Sequence, residues 1–211
     1  MRLGVMGGTF DPIHIGHLVA AHEARCQFEL EKVVFIPSAR PPHKTGAPHS
    51  PAPDRLRMVE LATASDPFLE VLDIELHRQG PSYTIDTLRE IRRTYAPSSE
   101  LYFITGADSI LELLTWKKPE ELLDEARFIA ASRPGYPLER LRDALPECTS
   151  RGADPLESVY GMEIPALAIS STDIRERAAS GRPFRYLVTD AVWEYIEVNG
   201  LYTKGEEPAR G

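Results

Sequence analysis

The sequence predicts an α/β fold, a doubly wound and mainly parallel sheet in a single domain. Three observations carry this. Short apolar runs rich in Val, Ile and Phe alternate with amphipathic segments, the pattern of a parallel sheet covered on both faces. A glycine-rich turn links the first such run to a helix-like segment. The 211 residues, 42% of them hydrophobic, can bury one full core without a second domain. In sheets of this class ligands gather at the carboxyl ends of the strands, near the point where strand order reverses, so each loop after a strand is a candidate site.

The apolar run Leu3 to Met6 reads as the first strand, and Ile15 to Phe28 as the helix after it. Lys32 to Pro37 is the next strand. Pro37 to Pro53, dense in proline and small polar residues, is expected to be an exposed, partly mobile loop rather than a linker between domains. Asp54 to Ala64 carries Leu56, Val59, Leu61 and Ala62 at helical spacing, and Leu69 to Leu76 reads as a strand. Ser82 to Tyr95 opens on a capping serine and carries Ile85, Leu88 and Ile91 on one helical face.

Leu101 to Thr105 and Arg127 to Ala131 are two further strands, and a short helix lies between Asp108 and Trp116. Leu138 to Glu157 carries no recognisable feature. Pro165 to Ile169 reads as a late strand, followed by a helix opening near Ser170 or Ser171. Val188, Val192, Tyr195 and Ile196 fall on one face of a last helix ending near Gly200, which suits core packing better than a site. The domain therefore spans 1–203, with a polar, frayed tail over 204–211. No internal repeat is visible.

Composition excludes several function classes. A formal net charge of −8 opposes a sequence-independent grip on nucleic acid, which needs a basic surface to displace counterions. Any phosphate ligand must be held by local charges. Cys26 and Cys148 are too few for a disulfide framework and form no C-x-x-C pair. There is no signal-like N-terminus, and no apolar run approaches the roughly 20 residues that span a bilayer. The expectation is a cytoplasmic protein with neither membrane nor nucleic-acid partner. Whether it forms a homo-oligomer is open.

The segment Gly7-Gly8-Thr9-Phe10-Asp11-Pro12-Ile13-His14-Ile15-Gly16-His17 places two imidazoles at a strand-to-helix turn. There backbone N–H groups and the helix dipole favour an anion, and glycine lets a phosphate approach the main chain. His14 and His17, three apart, share a helical face and can donate to one charged group. The bland alternative is one histidine capping and the other packed. Neither G-x-G-x-x-G nor G-x-x-x-x-G-K-[ST] occurs, which weighs against a dinucleotide oxidoreductase and a P-loop NTPase.

Far downstream, Arg175 falls in or near the first turn of a helix, where a cation opposes the dipole. Asp173 and Glu176 could offset it as a surface salt bridge. A bound triphosphate would offset it better, with Ser170 and Thr172 hydroxyls as further donors and the guanidinium on the β- and γ-phosphates. Asp108, in Gly106-Ala107-Asp108 just past a strand, is placed for ribose hydroxyls or as a plain N-cap. Trp116, beside Lys117 and Lys118, is a core residue or a stacking surface for a flat heterocycle. Gly80-Pro81-Ser82-Tyr83-Thr84 exposes backbone donors ahead of a helix, although capping alone explains Ser82. Pro41-Pro42-His43-Lys44 presents an imidazole and an ammonium on a stiff backbone, or simply a solvated charge.

The Gly7 to His17 segment resembles the H-x-G-H motif of the nucleotidyltransferase superfamily, and Ile169-Ser170-Ser171-Thr172-Asp173-Ile174-Arg175 is similar to its S-x-T-x-x-R pattern. Phe35-Ile36-Pro37 with Pro41-Pro42-His43-Lys44, the Gly80 to Leu88 run, Gly106-x-Asp108 with Trp116-Lys117, and Tyr186-Leu187-Val188 with Gly200-Leu201-Tyr202 narrow the likeness. Together they resemble the bacterial nicotinate-nucleotide adenylyltransferase family from Leu3 to Tyr202.

The resemblance implies a Rossmann-like nucleotidyltransferase fold. It implies that ATP and nicotinate mononucleotide give nicotinate adenine dinucleotide and pyrophosphate in NAD biosynthesis. Mg²⁺ would be held mainly by the ATP phosphates, with no metal ligands assigned to the chain. His14, His17 and Arg175 would be catalytic. ATP would contact these three with Gly7, Gly8, Thr9, Phe10, Gly106, Asp108, Ser170 and Thr172. Nicotinate mononucleotide would meet Ser82, Tyr83, Thr84 and Trp116 around its ring, Asp108 near its ribose and Lys44 at its phosphate. Alternatives are a phosphopantetheine or glycerol-phosphate nucleotidyltransferase, opposed by the Gly80 to Thr84 run and Trp116, and a non-catalytic nucleotide sensor, opposed by the intact His14, His17 and Arg175. Preference for nicotinate over nicotinamide is not fixed by these residues, since one backbone donor against one acceptor reverses it.

Overall fold

The computed structural model describes residues 1–40, 50–132, 158–165 and 168–203. His43 and Lys44, the 138–157 segment, Cys148 and the 204–211 tail lie outside the described residues. The strands are β1 (Arg2–Gly8), β2 (Lys32–Pro37), β3 (Leu69–Val71), β4 (Glu100–Gly106), β5 (Arg127–Ser132) and β6 (Val159–Glu163). They form one sheet in the order β3-β2-β1-β4-β5-β6, parallel throughout. The helices are α1 (Ile15–Gln27), α2 (Ala52–Thr63), α3 (Thr84–Glu90), α4 (Ala107–Leu111), α5 (Pro119–Glu125), α6 (Ser171–Ala179) and α7 (Asp190–Val198). Among the described residues no helix is long and apolar enough to cross a membrane.

Strand side chains alternate between two cores, which is why the strands read as continuous apolar runs. Leu3, Val5, Val34, Ile36, Leu101, Phe103 and Phe128 face Ile85 and Leu88 of α3, Ile110 of α4 and Leu122 of α5. Val33, Phe35, Tyr102, Ile104 and Ile129 face Ala20, Ala21 and Ala24 of α1, Met58 and Val59 of α2, Ile174 of α6 and Val192 and Ile196 of α7. The alanine face lets α1 lie close to the sheet. Beneath it a Cβ on Gly4 would come within 2.9 Å of Val33 Cγ2 and 3.0 Å of Leu30 Cδ1, so only glycine fits. On the outside, Tyr195 donates to Asp54 at 2.8 Å and fastens α7 to α2.

Three expectations are corrected. The strand expected over Leu69 to Leu76 stops at Val71: Leu72 N–H makes a last bond to Phe35 O, and the chain then turns, with Leu76 and Arg78 N–H bonded to Asp73 and Glu75 carbonyls. The third helix opens at Thr84 rather than Ser82, with Tyr83 as its N-cap residue. Ser82 is instead bound to another loop, its N–H donating to Arg40 O at 2.9 Å and its hydroxyl accepting from Arg40 N–H at 3.2 Å. That helix continues through one π-helical turn, Ile91–Tyr95.

The late strand is Val159–Glu163, not Pro165 to Ile169. Ile164 N–H closes the ladder on Ser132 O, and Pro165, with no N–H to give, ends it. Ala166 and Leu167 lie outside the described residues, and 168–170 has no regular structure.

Candidate active site

The chain leaves β1 toward α1 on one face and leaves β4 toward α4 on the other, so a gap opens between the ends of two neighbouring strands. A cleft of about 660 Å³ occupies this reversal point. Gly7, Gly8, Thr9 and Phe10 form its wall after β1, and Gly106 and Asp108 its wall after β4. Gly7 and Gly8 also have a packing reason. Added Cβ atoms would lie 3.3 Å from the Phe103 ring and 2.9 Å from the Phe10 ring. Above Gly106 there is open space. Asp108 is the second residue of α4, after the N-cap Gly106, so its carboxylate is not the cap and lines the cleft.

His14 is the N-cap residue of α1 and His17 lies in its first turn; both line the cleft. Their rings stack at 3.7 Å between centroids with planes 22° apart. His14 N–H donates to His17 Nδ1 at 3.2 Å, so in the neutral His17 ring the proton sits on Nε2 and that nitrogen is a donor. Phe10 meets the His17 ring edge-on at 5.1 Å. Gly16 leaves room for the fold of His14: a Cβ there would lie 3.0 Å from His14 Nδ1. Burial brings the His14 pKa down to about 4, so its imidazole is neutral at pH 7 and can donate through one N–H.

An aromatic wall faces this pair. Trp116 is half-buried and packs edge-on against Phe103 at 6.0 Å. Lys117 lies 4.4 Å from the centre of the Tyr83 ring and pairs with Asp86 at 2.9 Å, which orders Tyr83 at the start of α3. Ser82, Tyr83, Thr84 and Trp116 all border the cleft.

A family model described as cytidylyltransferase-like matches residues 5–177. A "Probable nicotinate-nucleotide adenylyltransferase" of Moorella thermoacetica is 54% identical over 95% of this chain and 91% of its own. The chain belongs to the nicotinate-nucleotide adenylyltransferase family. A member from Thermus thermophilus, described in the same words, is 49% identical over 96% of this chain and all of its own (100%). The solved Plasmodium falciparum nicotinic acid mononucleotide adenylyltransferase complexed with NaAD shares the fold, with a TM-score of 0.76, 20% identity and coverage of 95% of this chain and 97% of that one.

The second family motif sits beside the first. Arg175 is the fifth residue of α6; its Nη1 donates to Asp11 O at 2.7 Å and its Nη2 to Thr172 Oγ1 at 3.3 Å. The cleft wall includes Ser171, which donates to Pro12 O at 2.9 Å, but not Ser170, Thr172 or Arg175. Ser170 caps α6, its hydroxyl accepting from Asp173 N–H at 3.1 Å. Asp173 pairs with Arg177 at 2.7 Å.

Other residues near the cleft were missed in the sequence. Arg55 of α2 is 1% exposed, and burial opposes its charge while Asp11 and Glu75 support it. Its signal was a cation on the apolar stripe Arg55, Met58, Val59, Ala62. Tyr202 donates to Asp11 Oδ1 at 2.8 Å, and burial, then the Asp11 carboxylate, push its pKa up so that it stays a donor. Glu75, 5% exposed, lines the cleft and accepts from Thr87 Oγ1 at 2.5 Å.

The His14 pKa has a stability consequence. It lies below its unfolded value of 6.5, so from pH 6.5 down to about 4 the unfolded chain takes up a proton that the folded chain refuses. Stability is therefore intact above pH 6.5 and falls on acidification through that window. Urea denaturation at pH 7.5 and 5.0 should show wild type losing about 2 kcal/mol more than His14→Asn over the interval. Equal losses would contradict a desolvated His14.

Proposed function

We propose that the cleft catalyses attack of the phosphate of nicotinate mononucleotide on the α-phosphorus of ATP. A new P–O bond forms, the bond from the α-phosphorus to the bridging oxygen breaks, and pyrophosphate departs with the electron pair. The observation that carries this reading is the stacked imidazole pair at the start of α1 facing the same cleft as the Phe103, Trp116 and Tyr83 wall. Family membership supports the substrates. The nucleophile is already an anion, so no general base or covalent intermediate is needed, and catalysis is alignment plus charge stabilisation.

In this reading the His17 Nε2–H and the neutral His14 donate to phosphate oxygens as charge builds toward the leaving group. The positive end of α1 adds to that field. Arg175 turns toward the β- and γ-phosphates from beside the cleft, with Thr172 bonded to it on α6 and Ser170 at the cap of that helix. Gly7, Gly8, Thr9 and Phe10 would bracket the phosphates and Asp108 would take ribose hydroxyls. On the other side, Trp116 stacks on the pyridine ring while backbone donors of Tyr83 and Thr84 meet its carboxylate beside Ser82. Lys44 serves the mononucleotide phosphate. Clusters of three or more His, Cys, Asp or Glu side chains that could hold a metal are absent among the described residues. Mg²⁺ accompanying ATP would take its ligands mainly from phosphate and water and supply charge neutralisation.

Pyrophosphate release from ATP and nicotinate mononucleotide tests the reading, and its absence in the wild type would overturn it. His17→Ala should lower kcat by roughly two to three orders of magnitude, as loss of a transition-state donor does, in a protein that stays folded; near-normal turnover would remove His17 from the chemistry. Trp116→Ala should raise KM for nicotinate mononucleotide more than KM for ATP, because stacking is mainly ground-state binding. An equal rise for both substrates would make Trp116 a wall residue only.

A further inference from the structure

Arg55 lies outside the cleft wall, yet its bonds run to two of the loops that border it. Its Nη1 donates to Thr9 O and to Ser38 O, each at 2.7 Å, and its Nε to Ser50 O at 3.2 Å. Thr9 belongs to the loop after β1 that leads to His14 and to His17 in the first turn of α1, and Ser38 to the loop after β2; both line the cleft. Two residues past Thr9, the Asp11 carbonyl accepts from Arg175 and its carboxylate from Tyr202 and from Ser50 N–H at 3.4 Å. One buried guanidinium thus joins the histidine loop, the second loop and, through Asp11, the segments bearing Arg175 and Tyr202.

We propose that Arg55 is a positioning residue, setting the spacing between the histidine loop and the loop after β2 and hence the alignment of the two substrates. This rests on the adenylyl-transfer reading. Helix α2 has other anchors, Met58, Val59 and Ala62 in the core and Asp54 on Tyr195. Its Nη1 and Nε bond to loop carbonyls and to no strand ladder. A planar fork holds several acceptors in fixed directions, which one lysine ammonium cannot reproduce.

Arg55→Lys tests this, measured for kcat and KM with both substrates and for hydrogen–deuterium exchange. The variant should stay folded and lose at least about tenfold in kcat, the sensitivity of an aligned reaction to small displacements, with either KM moving less than roughly threefold. Amide exchange over Thr9–His14 should quicken while β1 and β4 stay unchanged. Wild-type kcat with only a lowered Tm would make Arg55 structural and overturn the proposal. If Arg55→Lys does not fold, Tyr202→Phe decides: a kcat loss of about threefold supports the network, and unchanged kcat overturns it. If the wild type shows no turnover, the reaction reading fails by itself, and unchanged exchange over Thr9–His14 in either variant would still overturn the positioning role.

Discussion

The divergence of the chain from two adjacent parallel strands is the constraint on which the rest of this molecule depends. Because β1 feeds α1 on one face and β4 feeds α4 on the other, neither helix bridges the strands' carboxyl ends, and the cleft lies in the space between them. The start of α1 points into that space, so any side chain at its first turn inherits a field that favours anions. His14 and His17 occupy that turn, and their stacking is possible because Gly16 has no side chain to obstruct the fold of His14.

A protein with a formal net charge of −8 that handles anionic substrates must concentrate attraction locally. It does so with few cations at the cleft itself, Lys117 alone among the described lining residues. His14 is held neutral by burial, and the guanidinium of Arg175 stands to one side on Asp11 O. Neutral donors, a helix end and glycine-lined walls provide preorganised dipoles without a charge whose desolvation must be met when the cleft is empty. Arg55 is the exception, a buried cation supported by the Asp11 and Glu75 carboxylates and engaged with carbonyls of the surrounding loops.

Much of this was legible from local pattern. Val33 to Ile36 is apolar at every position because β2 is covered on both faces, and the three-residue spacing of His14 and His17 carried their shared face. What escaped has a physical reason in each case. Among the described residues strand β6 has one strand neighbour, β5, and Val159 and Met162 as its buried residues, too sparse a pattern to outweigh the apolar run after Pro165. Ser82 looked like a cap because capping is local, whereas its actual partner, Arg40, comes from a different loop. The convergence of Arg55, Asp11 and Tyr202 spans almost the whole chain and is set by tertiary packing, leaving only a misplaced cation on an apolar stripe as its trace.

The most direct measurement is a crystal structure of the protein with a non-hydrolysable ATP analogue. The expected complex places the α-phosphate at the start of α1, with oxygens about 3 Å from ring nitrogens of His14 and His17 and the terminal phosphates turned toward Arg175. A nucleotide bound away from the gap between β1 and β4, with both imidazoles still stacked and touching only protein, would contradict the account.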